Sequence, residues 1–193
     1  MTWHNKVIWT EGMFLQPQHF QQHDRFLALQ SHARAGMSSG YGWGFVSLTL
    51  DSAALNLGKL TLAGATGVMP DGLVFDIPGQ DAAPAALDVS ADVRDELVVL
   101  AAVLQRPGVA ESDAEADTGS MPPRYRAAEV DVGDTNVTGQ RVAPIQIGRV
   151  NLRVMDGSDG LTSLPGFRPR PPDVGIAGSH TSELVAVATT VPI

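Results

Sequence analysis

His19 and His23 stand four residues apart in "HFQQH". That spacing puts two imidazoles on one face of a helix, where they can share a zinc ion. A zincin helix also needs a glutamate directly after the first histidine, and Phe20 stands there instead. The simpler reading is a pair of histidines hydrogen-bonded within a packed interface. "GYGWGF" at 40–45 has the glycine content of a phosphate loop. Such a loop follows a strand and opens a helix, whereas this one follows a helical pattern and opens a strand. Its glycines let the chain turn closely around Tyr41 and Trp43. Asp71 and Asp76 flank a hairpin, but an aspartate in "PDG" is the residue a turn calls for. No G-x-S-x-G elbow occurs, and cysteine is absent, which removes thiolate nucleophiles, disulfides and cysteine-based zinc. We expect no catalytic residues, no metal and no cofactor; the chain does not read as an enzyme.

The elements that carry these residues fall into two textures. Residues 5–9 (NKVIW) read as a short strand, followed by the turn-rich "TEGMFLQP". From Pro17 the pattern is helical, since proline suits the first helical position, and Gly36 with "SSG" at 38–40 ends it. On a helical wheel Phe26, Leu29, Ala33 and Met37 share a stripe, with Phe20 and Leu27 on its shoulder. Gln21, Asp24, Arg25, Ser31 and His32 lie opposite. One amphipathic helix of about five turns follows. After residue 41, short runs alternate with period two and are broken by Gly, Pro and Asp. These are 44–50, 59–65, 73–78, 96–104, 146–155 and 182–191. Short strands with regular turn signals indicate an antiparallel β-sandwich. The expected organisation is a strand–turn–helix arm over 1–40 and a sandwich over 41–193. The segment 108–123, acidic and poor in large apolar groups, reads as a mobile loop, and 166–175 as Pro-rich and extended.

The chain of 193 residues is 44% hydrophobic, enough for one substantial core. Its formal charge of −8 disfavours both a nucleic-acid backbone and an anionic membrane surface as partners. No secretory signal pattern and no membrane-length apolar run is present, so a cytoplasmic placement is expected. Trp3, Trp9, Phe14 and Phe20 crowd the first twenty residues, ahead of a sandwich that leaves them few internal partners. Aromatics interleaved with glutamines suit a surface that binds another subunit.

"VIWTEGMFLQPQHFQQHDRF" at 7–26 closely resembles the N-terminal signature of the TssK family of type VI secretion baseplate subunits. "YGWGFVSLTLD" (41–51), "LNLGKLTLAGATGVMPDGLVFDIP" (55–78) and "VNLRVM" (150–155) follow in the family's order. The resemblance implies an N-terminal shoulder domain like that of tailed-phage receptor-binding proteins, with the neck and C-terminal head absent. It implies a structural baseplate adaptor that anchors the wedge subunits TssG and TssF and is homotrimeric at full length. The absent regions would reach the membrane complex of TssL, TssM and TssJ. Carried over by motif, the partner-binding residues are Trp9, Glu11, Met13, Phe14, Pro17, His19, Phe20, Arg25 and Trp43. Two other readings remain: a carbohydrate- or peptide-binding sandwich, and a metal-dependent enzyme using His19 and His23.

Overall fold

The structure, a computed structural model, describes residues 3–38, 42–89, 97–112, 122–136, 141–156 and 184–190. It opens with a leader over 3–16 and helix α1, Pro17–Ser38. Strand β1 (Gly44–Leu50), the one-turn helix α2 (Ser52–Leu55), β2 (Lys59–Leu60), β3 (Leu62–Val68), β4 (Val74–Ile77) and β5 (Leu87–Asp88) follow. Then come β6 (Leu97–Val103), β7 (Tyr125–Gly133), β8 (Val142–Val150), β9 (Leu152–Asp156) and β10 (Leu184–Thr190).

Two antiparallel three-stranded sheets, β1-β3-β4 and β10-β6-β9, face one another. Leu62, Ala65, Met69, Phe75 and Ile77 of the first meet Leu100, Ala102 and Leu152 of the second in one core, which Val150 joins. On β4 burial alternates with the pleat: Phe75 and Ile77 point inward and Val74 outward. Residues 98–103 of β6 are all buried, as its unbroken apolar run requires of a central strand. Phe45 meets Phe75 edge to face, ring centroids 5.7 Å apart, the geometry that the aromatic quadrupole favours. The expected all-β sandwich with an N-terminal helix is therefore the architecture found.

Some elements differ from the expectation. Residues 5–9 join no ladder among the described residues; no strand lies beside them, and Gln22 Nε2 donates to the Asn5 carbonyl instead (2.6 Å). Helix α2 is additional. Asp51 caps it, one carboxylate oxygen accepting from the amides of Ala53 and Ala54 at 2.9 and 3.1 Å. The run 146–155, read as one strand, is two, because Asn151 is buried at the break and its amide donates to the Pro123 carbonyl (2.9 Å). Strand β7 and the first half of β8 were not expected. Of the segment expected to be mobile, 113–121 lies outside the described residues, as does 166–175. Its first turn is tied in: Glu111 accepts from the Tyr125 amide through its carbonyl (2.9 Å) and from Gln105 through its carboxylate (2.7 Å).

Buried polar groups join the sheets. Asp81 accepts from the Val150 amide (2.8 Å) and from the Asp76 amide (3.0 Å), bridging β4 to the β8 end. Arg124 pairs with Asp71 at 2.7 Å and donates to the Val103 carbonyl, so one guanidinium ties the β3–β4 turn to the end of β6. Burial alone would lower its pKa. Asp71 and the neighbouring Tyr125 outweigh that and hold it above the ordinary arginine value. The turn itself closes with the Met69 amide on the Leu73 carbonyl (2.7 Å), and Gly72 takes φ +87°, where other residues are strained.

Removing one partner of a buried ion pair leaves the other charge uncompensated. We expect Arg124→Met to cost about 3–5 kcal/mol of unfolding free energy in a urea titration. A loss below about 1 kcal/mol would show that the pair adds nothing that water does not replace.

Candidate docking surface

The leader folds back along the first turns of α1. Glu11 and Gly12 form its turn, with the Met13 amide donating to the Thr10 carbonyl (3.3 Å) and Gly12 at φ +77°. This reversal brings Trp9 over the helix. Its ring lies 6.2 Å from His19, 6.3 Å from Phe20 and 5.9 Å from His23, centroid to centroid. His19 Nδ1 accepts from the Gln16 amide (3.1 Å), which occupies one of the donors left open at the helix start. Further along, the Arg25 guanidinium sits 4.2 Å from the Trp3 ring centroid and donates to Gln22 Oε1 (2.9 Å). A stacked cation of this kind contributes about 0.5–1 kcal/mol where partly exposed.

The helix therefore turns a polar and aromatic face inward. His19, Gln22, His23, Arg25, Phe26, Gln30 and His32 are half-buried, and no residue of α1 is fully buried. The wheel placed Arg25 and His32 on the solvent side and Leu29, Ala33 and Met37 inside; the structure reverses both assignments. The physical reason is the leader, whose carbonyls ask for donors such as Gln22 rather than for aliphatic carbon. The helix meets the sandwich at His32, whose ring would stand 2.7 Å from a Cβ added at Gly72.

Outside this junction the arm presents large apolar groups to solvent. Phe14 is 83% exposed, Phe20 52% and Trp9 45%, and Ile8, Leu15 and Leu27 join them. Among the sequence-derived residues, the structure gathers Trp9, His19 and Phe20 and places Arg25 one turn further on. Pro17 opens the helix, Met13 is half-buried, and Glu11 and Phe14 are exposed on the leader. Trp43 stands apart. Gly42 packs on the Ala35–Gly36 backbone at the other end of α1, about 20 Å from the Trp9 cluster by helical rise. Sequence reasoning overlooked Ile8 and Leu15; it counted Trp3 among the crowded aromatics but left it out of the carried-over motif, and its stacking on Arg25 shows only in the fold. Among the described residues no three His, Asp or Glu groups gather to hold a metal ion, and no helix is long and apolar enough to cross a membrane.

The described residues thus form an antiparallel sandwich carrying an ordered arm whose large aromatics face outward. Residues 19–166 match the family model described as bacterial type VI secretion, VC_A0110, EvfL, ImpJ, VasE, and the chain belongs to that family. It is 43% identical over 163 residues to the type VI secretion system baseplate component TssK1 of Pseudomonas aeruginosa, covering 83% of this chain and 36% of the relative. A crystal structure of TssK superposes with TM-score 0.76 at 34% identity, over 96% of this chain and 37% of that one. A chain of a cryo-electron microscopy structure of the type VI secretion system TssK-TssF-TssG baseplate subcomplex gives 0.71 at 26% identity, over 79% of this chain and 51% of that one. The chain thus spans little more than a third of its curated relative's length.

Aromatic contacts contribute about 0.5–1.5 kcal/mol each beyond burial. We expect Trp9→Ala to cost about 1–2 kcal/mol and to speed amide exchange through residues 5–10, with exchange in β3 and β6 unchanged. Unaltered leader exchange would mean that the ring contacts do not hold it.

Proposed function

We propose that this chain is the N-terminal shoulder domain of a type VI secretion baseplate subunit, comprising an arm over 1–40 and a sandwich over 41–193. Its arm holds the wedge subunits TssG and TssF. The observation that carries this reading is the ordered leader, which leaves Phe14, Phe20 and Trp9 facing outward while polar contacts fix its course. Apolar anchors that are already positioned lose little entropy on docking. The relative captured with TssF and TssG supports the choice of partner.

Within this surface Trp9, Phe14 and Phe20 are the anchors, with Met13, Pro17 and Glu11 around them. His19 and Arg25 position the leader, and Trp43 serves a contact that runs the length of α1. The role is structural rather than catalytic, and the place is the cytoplasm. At full length the subunit is a homotrimer, and regions beyond the matched third reach the membrane complex of TssL, TssM and TssJ.

The test is co-purification with TssG and TssF. We expect Phe14→Asp and Phe20→Asp each to weaken capture at least tenfold, because an outward-facing ring at an interface centre is worth on the order of 2 kcal/mol. The unfolding midpoint should stay within experimental scatter, since neither ring lies in the core. Capture at unchanged affinity by both variants would remove the arm from the interface.

A further inference from the structure

Helix α1 has no fully buried residue, so the angle at which it stands on the sandwich is not fixed by an apolar face sunk into the core. It meets the β3–β4 turn at His32. A methyl built on Gly72 would stand 2.7 Å from Nδ1, 2.9 Å from Cγ and 3.1 Å from Cβ of that histidine. Turning the ring aside relieves the first two distances but not the third, because Cβ is fixed to the helix backbone. The absence of a side chain at 72 is what lets the helix lie this close.

The turn beneath is braced. The Gly72 amide donates to the Met69 carbonyl (2.9 Å) and the Leu73 amide to Asp71 Oδ1 (3.2 Å), while Asp71 Oδ2 pairs with Arg124 at 2.7 Å. Between a helix that buries nothing and a turn tied to a buried guanidinium, the helix is the partner that yields. Its geometry then acts as a lever. The approach of Gly42 to the Ala35–Gly36 backbone lies just beyond His32, about 5 Å along the axis, and Phe20 lies about 18 Å before it. A displacement at His32 is magnified roughly four- to fivefold at Phe20.

We propose that His32 on Gly72 is the positioning contact that sets the angle of the arm, and with it where Trp9, Phe14 and Phe20 stand when the wedge subunits dock. The inference rests on the docking reading above and assigns control of that surface to a pair of residues outside it.

The chain has no cysteine, so nitroxides at Asp24→Cys and Val46→Cys, both exposed positions, report the angle by double electron–electron resonance. Gly72→Asn adds bulk against His32, while asparagine tolerates a positive φ. It should shift the mean distance by about 2 Å or more and weaken capture of TssG and TssF about threefold or more, with amide exchange in β3 and β6 unchanged. His32→Ala alone should broaden the distance distribution, and in the Gly72→Asn chain it should return the mean most of the way. An unmoved mean in Gly72→Asn, or a shift that His32→Ala leaves in place, would overturn the proposal. So would a shifted mean with full capture, where Phe20→Asp does weaken capture. Full capture by Phe20→Asp as well would mark failure of the docking reading, and the distances alone would then decide whether this contact sets the arm.

Discussion

The position of the arm rests on one buried cation. Arg124 is desolvated, and a guanidinium taken from water costs several kcal/mol unless its donors are met. Asp71 meets one nitrogen and the Val103 carbonyl another, while Nε has no partner among the described residues. The pair thus yields little net stability and much specification, since its geometry is met only when the β3–β4 turn, the end of β6 and the start of β7 converge. The turn it anchors holds Gly72, on which His32 and so α1 rest. The residue after it, Tyr125, starts β7. Asp81 makes the complementary bridge, accepting from Val150 across from β4.

The arm follows a different rule from the sandwich. In the sheets, inward residues are aliphatic and period two decides burial. Along α1 the inward residues are largely polar, and what they cover is a strand-less leader whose Asn5 carbonyl takes its donor from Gln22. A backbone without a ladder must find donors elsewhere. Gln22 supplies one to Asn5, and Arg25 is stacked on Trp3 and bonded to Gln22. Leu27, Leu29 and Met37 are exposed as a consequence. An apolar stripe on a helix shows where the helix makes its most hydrophobic contact, and that contact is not always within the same chain.

This explains what could be read from the residues alone. Strands β1, β4, β6 and β10 announce themselves through apolar runs between turn residues, and "PDG" marks its turn by chemistry that the folded chain retains. The aromatic leader declared its type, and its relation to a family, through residues rather than pattern. Three features were illegible for physical reasons. "YRAAEVDVG" mixes charges and small residues on both sides, because neither side of that strand faces its own core beyond Tyr125. The break at Asn151 depends on Pro123 and Arg124, far away in sequence. Which helix face turns inward depends on the leader's path, which no periodicity within the helix encodes.

Order in the leader bears directly on the docking role proposed for it. A disordered aromatic segment would lose conformational freedom for every residue fixed at the moment of docking, on the order of 1–2 kcal/mol each. Here the Trp9 contacts, the Gln22 donor and the Arg25 stack have already fixed its course, and the aromatic surface is left to be covered by something else. Burying Phe14 and the outer half of Phe20 then adds apolar contact at about 25 cal/mol per Å², with little entropy lost. A preordered surface of that kind favours slow dissociation over rapid encounter. The polar inner face of α1 is thus the structural condition for the apolar outer one: it holds the leader without consuming the aromatics.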